Sequence, residues 1–263
     1  MDTVVVFVCD LQYFVKARRS IIDLRSVGNW KGPIVVISID FNIGDNFKLF
    51  YNITEIKFPN IDKTLLHDHI KDGFSGSDRR ELSLMNQWEK LHVFDDYFKQ
   101  WKRVIYFDSG LRILDDIQNL LDLEYENSFL APIDGKYLNP NLFHTQLSYD
   151  YPDRIQKIKD DFGNIFNHIH FLNCIWIYDT SILNILNKQV FIDAMNTYFC
   201  CKTNEMTIMN LFLNFKYDLW KPFPIYSKNN KYLFEWCESN NPNTHWTQYC
   251  FIKYPCTILM SDC

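Results

Sequence analysis

The chain has 263 residues, 47% hydrophobic and 17% aromatic, with a formal net charge of −5 at pH 7. That length suits one large α/β domain with a sizeable core, and the acidic balance gives no global basis for binding nucleic acid. Eight cysteines without a CxxC pair point to reduced thiols in an intracellular, cytoplasmic protein rather than to a disulfide scaffold.

Val4 to Val8 is an unbroken run of β-branched and aromatic residues, the mark of a strand buried on both faces. It is too short to span a membrane and lacks the basic lead-in of a signal peptide. A loop, "CDLQYF", follows. The spacing of Ile21, Leu24 and Val27 then predicts a helix over 15–28 that stops at Gly28. Pro33 to Ile39 reads as a second buried strand, so the unit is β-α-β with parallel strands. Ile53 to Phe58 reads as a third strand, 82–98 as a helix and 103–108 as a fourth strand. A short helix over 117–123 and a strand from Ser128 to Asp134 complete a doubly wound sheet in the first 135 residues.

The second half is less regular. Helices are expected over 156–169 and from Glu205 to Phe215, and a strand over 170–178. The tail from Lys221 is rich in proline, asparagine and aromatics, and offers a surface for a homodimer. No repeat or low-complexity linker divides the chain. The expectation is one domain over 1–263, with a nucleotide-binding half at 1–135 and an acceptor half at 136–263.

Open parallel sheets bind ligands at the carboxyl ends of their strands. Asp10 and Asp108 fall there, one after the first strand and one after the fourth. Such carboxylates hold a ribose hydroxyl or a divalent cation with a diphosphate; a turn start, with Gly110 as the permissive residue, is the structural alternative. Asp115 and Asp116 read as a turn and a helix cap. The pairs His67/His69 and His168/His170 lack a third zinc ligand. No Gly-rich phosphate loop, GxSxG or HExxH is present.

The segments "DLQYF", "SIIDLRSVGNWKGPIVVIS" and "WEKLHVFDDYFKQWKRVIYFDSGLRILDDI" together resemble the retaining nucleotide-sugar transferases of glycosyltransferase family 8. The resemblance implies a GT-A fold: a Rossmann-like, mostly parallel sheet flanked by helices, with a less regular acceptor side. It also implies transfer of a sugar from a nucleotide sugar, most simply a UDP-sugar, to a hydroxyl of a glycan, protein or small acceptor. Asp10 and Tyr13 would then face the base, with the Tyr13 ring stacked on it, and Lys90 would contact sugar or phosphate. Arg79 and Arg80 are further phosphate candidates, although their segment also reads as a helix cap. "FLNCIWIYDTS" resembles the family's Phe-Asn-Ser-Gly segment through Asn173. "TNEMTIMN" resembles its Asp-Gln segment through Asn204 and Glu205. Glu205 would stabilise positive charge at the anomeric carbon or attack it; a helix N-terminal Glu favoured by the dipole is the alternative. "THWTQYCFIKYP" resembles the C-terminal segment that touches metal and diphosphate, through His245 and Lys253.

The family pattern ends its strand in Asp-x-Asp, and the second acid is a principal metal ligand. Here that position is Gly110. Three outcomes remain open. Mn²⁺ or Mg²⁺ binds through Asp108 and His245 with the diphosphate. Lys90, Lys253 or an arginine replaces the metal. Or catalysis is lost, leaving a GT-A-like module that binds sugar, nucleotide or protein.

Overall fold

The computed structural model describes residues 2–66, 82–198, 204–236 and 246–253. Strand β1 (Thr3–Asp10) alternates its side chains between two cores. Val4, Val6 and Val8 enter one cluster, and Val5, Phe7 and Cys9 the other. Burial on both faces is why the sequence shows a continuous apolar run instead of alternation. The segment expected as a loop after Val8 does not form one. The strand continues to Asp10, whose carboxylate accepts from the Tyr13 amide at 2.9 Å and caps helix α1 (Leu11–Ser26). The helix thus starts four residues earlier than its apolar spacing indicates. It ends at Ser26, two residues before the expected stop at Gly28, where a Cβ would lie 2.8 Å from the Leu24 carbonyl, so that glycine is favoured.

Strand β2 (Ile34–Ile39) pairs in parallel with β1, and β3 (Ile53–Ile56) in parallel with β2. Helix α2 (Asp45–Tyr51) connects them. Strand β4 (Arg103–Phe107) pairs in parallel with the other edge of β1, Thr3 opposite Arg103. The helix expected over 82–98 is instead a run of 3₁₀ turns, Leu82–Phe94 and Asp96–Gln100. The run breaks at Asp95, whose side chain caps the second piece through the Tyr97 amide at 3.0 Å.

Beyond β4 come β5 (Leu111–Ile113), β6 (Phe129–Ala131), the hairpin β7 (Gly135–Lys136) and β8 (Asn139–Pro140), and β9 (Ile175–Asp179). Then follow β10 (Trp220–Pro222), β11 (Tyr232–Trp236) and β12 (Tyr249–Lys253). The main sheet has seven strands in the order β10-β6-β9-β4-β1-β2-β3. It is parallel except for β9, which runs antiparallel to both β4 and β6. A small sheet, β11-β12-β5, lies beside the end of β4.

Asp116 accepts from the Gln118 amide at 2.8 Å in the turn ahead of a short helix, Gln118–Leu121; the cap position of that helix is Ile117, not an aspartate. The helix expected over 156–169 runs from Pro152 to Phe162 and stops at Gly163, whose φ is +73°. Residues 170–174, expected within a strand, contribute only an isolated bridge between Phe171 and Ile133 before β9 begins. The helix from Glu205 is α-helical to Met209 and then widens into a π-turn, Asn210–Lys216. There the buried Asn210 amide ties the backbone of Phe171 through two bonds of 3.0 Å. Both core clusters draw residues from each half of the chain. Among the described residues no helix is long and apolar enough to cross a membrane.

Candidate functional site

Because β1 and β4 are parallel neighbours, Asp10 and Asp108 emerge at the same edge of the sheet. Asp108 lies just past the last residue of β4, its amide bonded to the Cys174 carbonyl at 2.9 Å. Three side chains converge on its carboxylate, two of them lysines distant in sequence. Lys253 Nζ lies 2.6 Å from Oδ2. Lys90 Nζ lies 3.5 Å from Oδ1, and the Tyr106 hydroxyl donates to the same oxygen at 3.1 Å. The chain turns after it through Ser109 and Gly110, the latter at φ +82°, and the Leu111 amide bonds the Asp108 carbonyl at 3.2 Å.

Lys90 carries the cluster onward. Its ammonium is 2.9 Å from Glu205 Oε1, which also accepts from Asn173 Nδ2 at 2.8 Å. Glu205 is 1% exposed, and its Oε2 has no hydrogen-bond partner among the described residues. Glu205 occupies the first position of its helix, where the positive end of the dipole favours a carboxylate. The preceding Asn204 adopts φ +53° and donates to Gln87 Oε1 at 2.7 Å.

These contacts set the charge states. Burial by itself raises the Asp108 pKa, but the ammonium groups of Lys253 and Lys90 reverse that and hold it at about 2. Burial by itself lowers Lys90, but the Asp108 and Glu205 carboxylates hold it above the usual lysine range. Burial, with the neighbouring carboxylates, pushes the Tyr106 hydroxyl well above the usual tyrosine value, so it is a donor and not a base. Burial also pushes the Cys174 thiol up, which makes a poor nucleophile of it.

The second part of the site is at the end of β1. Asp10 Oδ2 accepts from Asn86 Nδ2 at 3.0 Å, and Asn86 and Gln87 sit on the same 3₁₀ segment as Lys90. Tyr13 is half-buried against the core that lines α1. Lys16 Nζ stands 4.8 Å over the Tyr13 ring, and its aliphatic stem is 3.6 Å from where a Gly110 Cβ would be. Lys16 therefore joins the Asp10–Tyr13 end to the Asp108 end.

The structure brings Asp108, Gly110, Lys90, Lys253, Asn173 and Glu205 into one cluster. Asn204 joins it through Gln87, and Asp10 and Tyr13 border it. His245, Arg79, Arg80, His67 and His69 lie outside the described residues. His168 is exposed, and His170 is buried 2.9 Å from Asp134. Lys16, Asn86, Gln87 and Tyr106 are the members that sequence reasoning missed. Lys16 carried a signal: it is three residues after Tyr13 on a helix that starts at the strand-end aspartate. Asn86 and Gln87 carried none, because their pairing depends on how the 3₁₀ segment lies across the sheet. Among the described residues no three His, Cys, Asp or Glu side chains converge on a metal-sized position.

No protein-family model and no curated protein matches the chain. Solved structures do. An active-site variant of LgtC matches 97% of this chain and 88% of its own, at 12% identity and a TM-score of 0.61. The galactosyltransferase LgtC in complex with donor and acceptor sugar analogues matches 95% and 86%, at 11% identity and a TM-score of 0.58. Core-mannan synthase A (CmsA/Ktr4) from Aspergillus fumigatus, in its Mn/GDP form, matches 85% and 73%, at 10% identity and a TM-score of 0.53. The chain thus has the GT-A-type fold of these glycosyltransferases, as the resemblance implied.

Proposed function

We propose that the protein is a glycosyltransferase that moves a sugar from a nucleotide sugar, most simply a UDP-sugar, to a hydroxyl of a glycan, protein or small acceptor. One observation carries the reading. At the carboxyl edge of a GT-A-type sheet, Lys90 joins the strand-end Asp108 to the buried Glu205, and Glu205 keeps one oxygen without a partner among the described residues. A purely structural ion-pair network has no use for a buried, unsatisfied carboxylate oxygen, which costs stability.

The bond between the anomeric carbon and the diphosphate oxygen breaks, and its electron pair leaves with the diphosphate. Lys90 and Lys253 face that growing negative charge from fixed positions, so little reorganisation accompanies the step. Glu205, aimed by Asn173 and Lys90, stabilises the positive charge at the anomeric carbon. The acceptor oxygen forms the new bond and passes its proton to the departing phosphate oxygen. Retention of configuration follows if attack comes from the leaving-group face. Asp10 and Tyr13 take the nucleoside end, the Tyr13 ring stacking on the base.

The test is release of nucleoside diphosphate from a panel of UDP- and GDP-sugars. Asp108→Ala and Glu205→Gln should each lower the rate by about 100-fold or more. Wild-type rates from either variant sink the reading. Nucleotide binding without turnover by the wild type leaves the GT-A-like binding module in its place.

A further inference from the structure

Within the donor reading, a lysine ammonium stands where the family resemblance puts a divalent cation. Strand β12 pairs antiparallel with β5, Lys253 opposite Leu111. That register carries the Lys253 side chain over the turn that ends β4. Its ammonium reaches Asp108 Oδ2 at 2.6 Å and donates to the Ser109 carbonyl, with only 10% of the side chain exposed. An ammonium has three donors. Among the described residues these contacts use two, and one remains for a phosphate oxygen.

Gly110 lies beside this seat. A Cβ there would lie 3.8 Å from Lys253 Nζ and 3.6 Å from the Lys16 stem, ordinary contact distances, so position 110 borders the ammonium directly. Its φ of +82° suits glycine, and with no side chain at 110 the cationic group nearest the turn is Lys253. The charges agree. Two carboxylates balance a divalent ion, and one carboxylate balances one ammonium. Asp108 also has no oxygen left over: Oδ1 already serves Tyr106 and Lys90. A metal would have to displace a lysine from a partly buried ion pair. The described residues do not fit Mn²⁺ or Mg²⁺.

We infer that Lys253 is the built-in cation of this site: resting on the donor reading above, it takes the diphosphate of the nucleotide in place of a divalent metal, so that donor binding is metal-independent. Lys90 and Lys16 add charge on either side.

The test uses the full chain. UDP and GDP binding is followed by calorimetry and thermal shift in EDTA and in Mn²⁺, and Mn²⁺ uptake by electron paramagnetic resonance without nucleotide. The inference expects equal nucleotide affinity in both media and a free-Mn²⁺ signal unchanged by the protein. Lys253→Met should weaken binding in EDTA by about tenfold or more. Lys253→Arg should lose less, since it keeps the charge. Nucleotide binding that requires Mn²⁺, or stoichiometric Mn²⁺ uptake abolished by Asp108→Asn, overturns the inference and leaves the donor reading standing. No nucleotide binding in either medium removes both. If Lys253→Met does not fold, the wild-type comparison decides alone.

Discussion

Asp10 and Asp108 end adjacent parallel strands at the same edge of one sheet, yet their carboxylates do different work. Asp10 meets neutral donors: the Tyr13 amide at 2.9 Å and the Asn86 side chain at 3.0 Å. It caps a helix. Asp108 opens onto no helix, because Ser109 and Gly110 turn the chain directly into β5. Its oxygens are left to side chains from other elements, and two of those are lysines. The same residue at the same topological position becomes a cap or a charged anchor according to what the next three residues do. A local helix start takes one oxygen of Asp10; a turn leaves both oxygens of Asp108 to side chains of other elements.

Removing each carboxylate should separate the two roles. The largest effect is expected on turnover: Asp108→Ala should lose most of its activity, as stated above, while Asp10→Ser, which keeps a cap, should retain wild-type kcat. Equal losses in kcat would erase the distinction. Stability comes next. Asp108→Ala strands ammonium groups in a partly buried site and should cost about 3 kcal/mol, against about 1 kcal/mol for Asp10→Ala, both read from urea unfolding.

A pH titration sharpens the contrast. The folded pKa of Asp108 is depressed to about 2. Its stabilising contribution is therefore present above the unfolded carboxylate value near 3.9 and is lost as pH falls toward 2. It amounts to about 3 kcal/mol. The gap in melting temperature between wild type and Asp108→Asn should close across that window; a gap that persists at pH 2 contradicts the assignment. The smallest effect concerns the bridge between the two ends. Lys16→Met keeps the stem packed near Gly110 and should shift stability by less than about 0.5 kcal/mol. It should weaken nucleotide binding by roughly threefold to tenfold, and unchanged affinity would detach α1 from the site.

Much of the fold was legible. The unbroken run of β1, the helix stop just before Gly28 and the strand-end positions of Asp10 and Asp108 are local consequences of burial on two faces and of turn chemistry. The helix over 82–98 misled because its apolar spacing fits 3₁₀ turns as well once Asp95 caps a break. The expected loop after Val8 is absent because Asp10 ends the strand and caps the following helix in one residue.

For the site, the sequence alone determined the residue types: a strand ending in Asp108, a glycine at 110, a lysine on the segment before β4 and a glutamate opening a helix. Residue type and spacing carry that much because strand ends and helix starts are decided within a few neighbours. The tertiary structure decided which groups meet. Lys253 bonds Ser109 across 144 positions, set only by the antiparallel register of β12 on β5. Glu205 meets Asn173 across 32 positions, set by where a helix start packs against the residues leading into β9. Such encounters depend on sheet pairing and on the packing of whole elements, and no local pattern of residues encodes them.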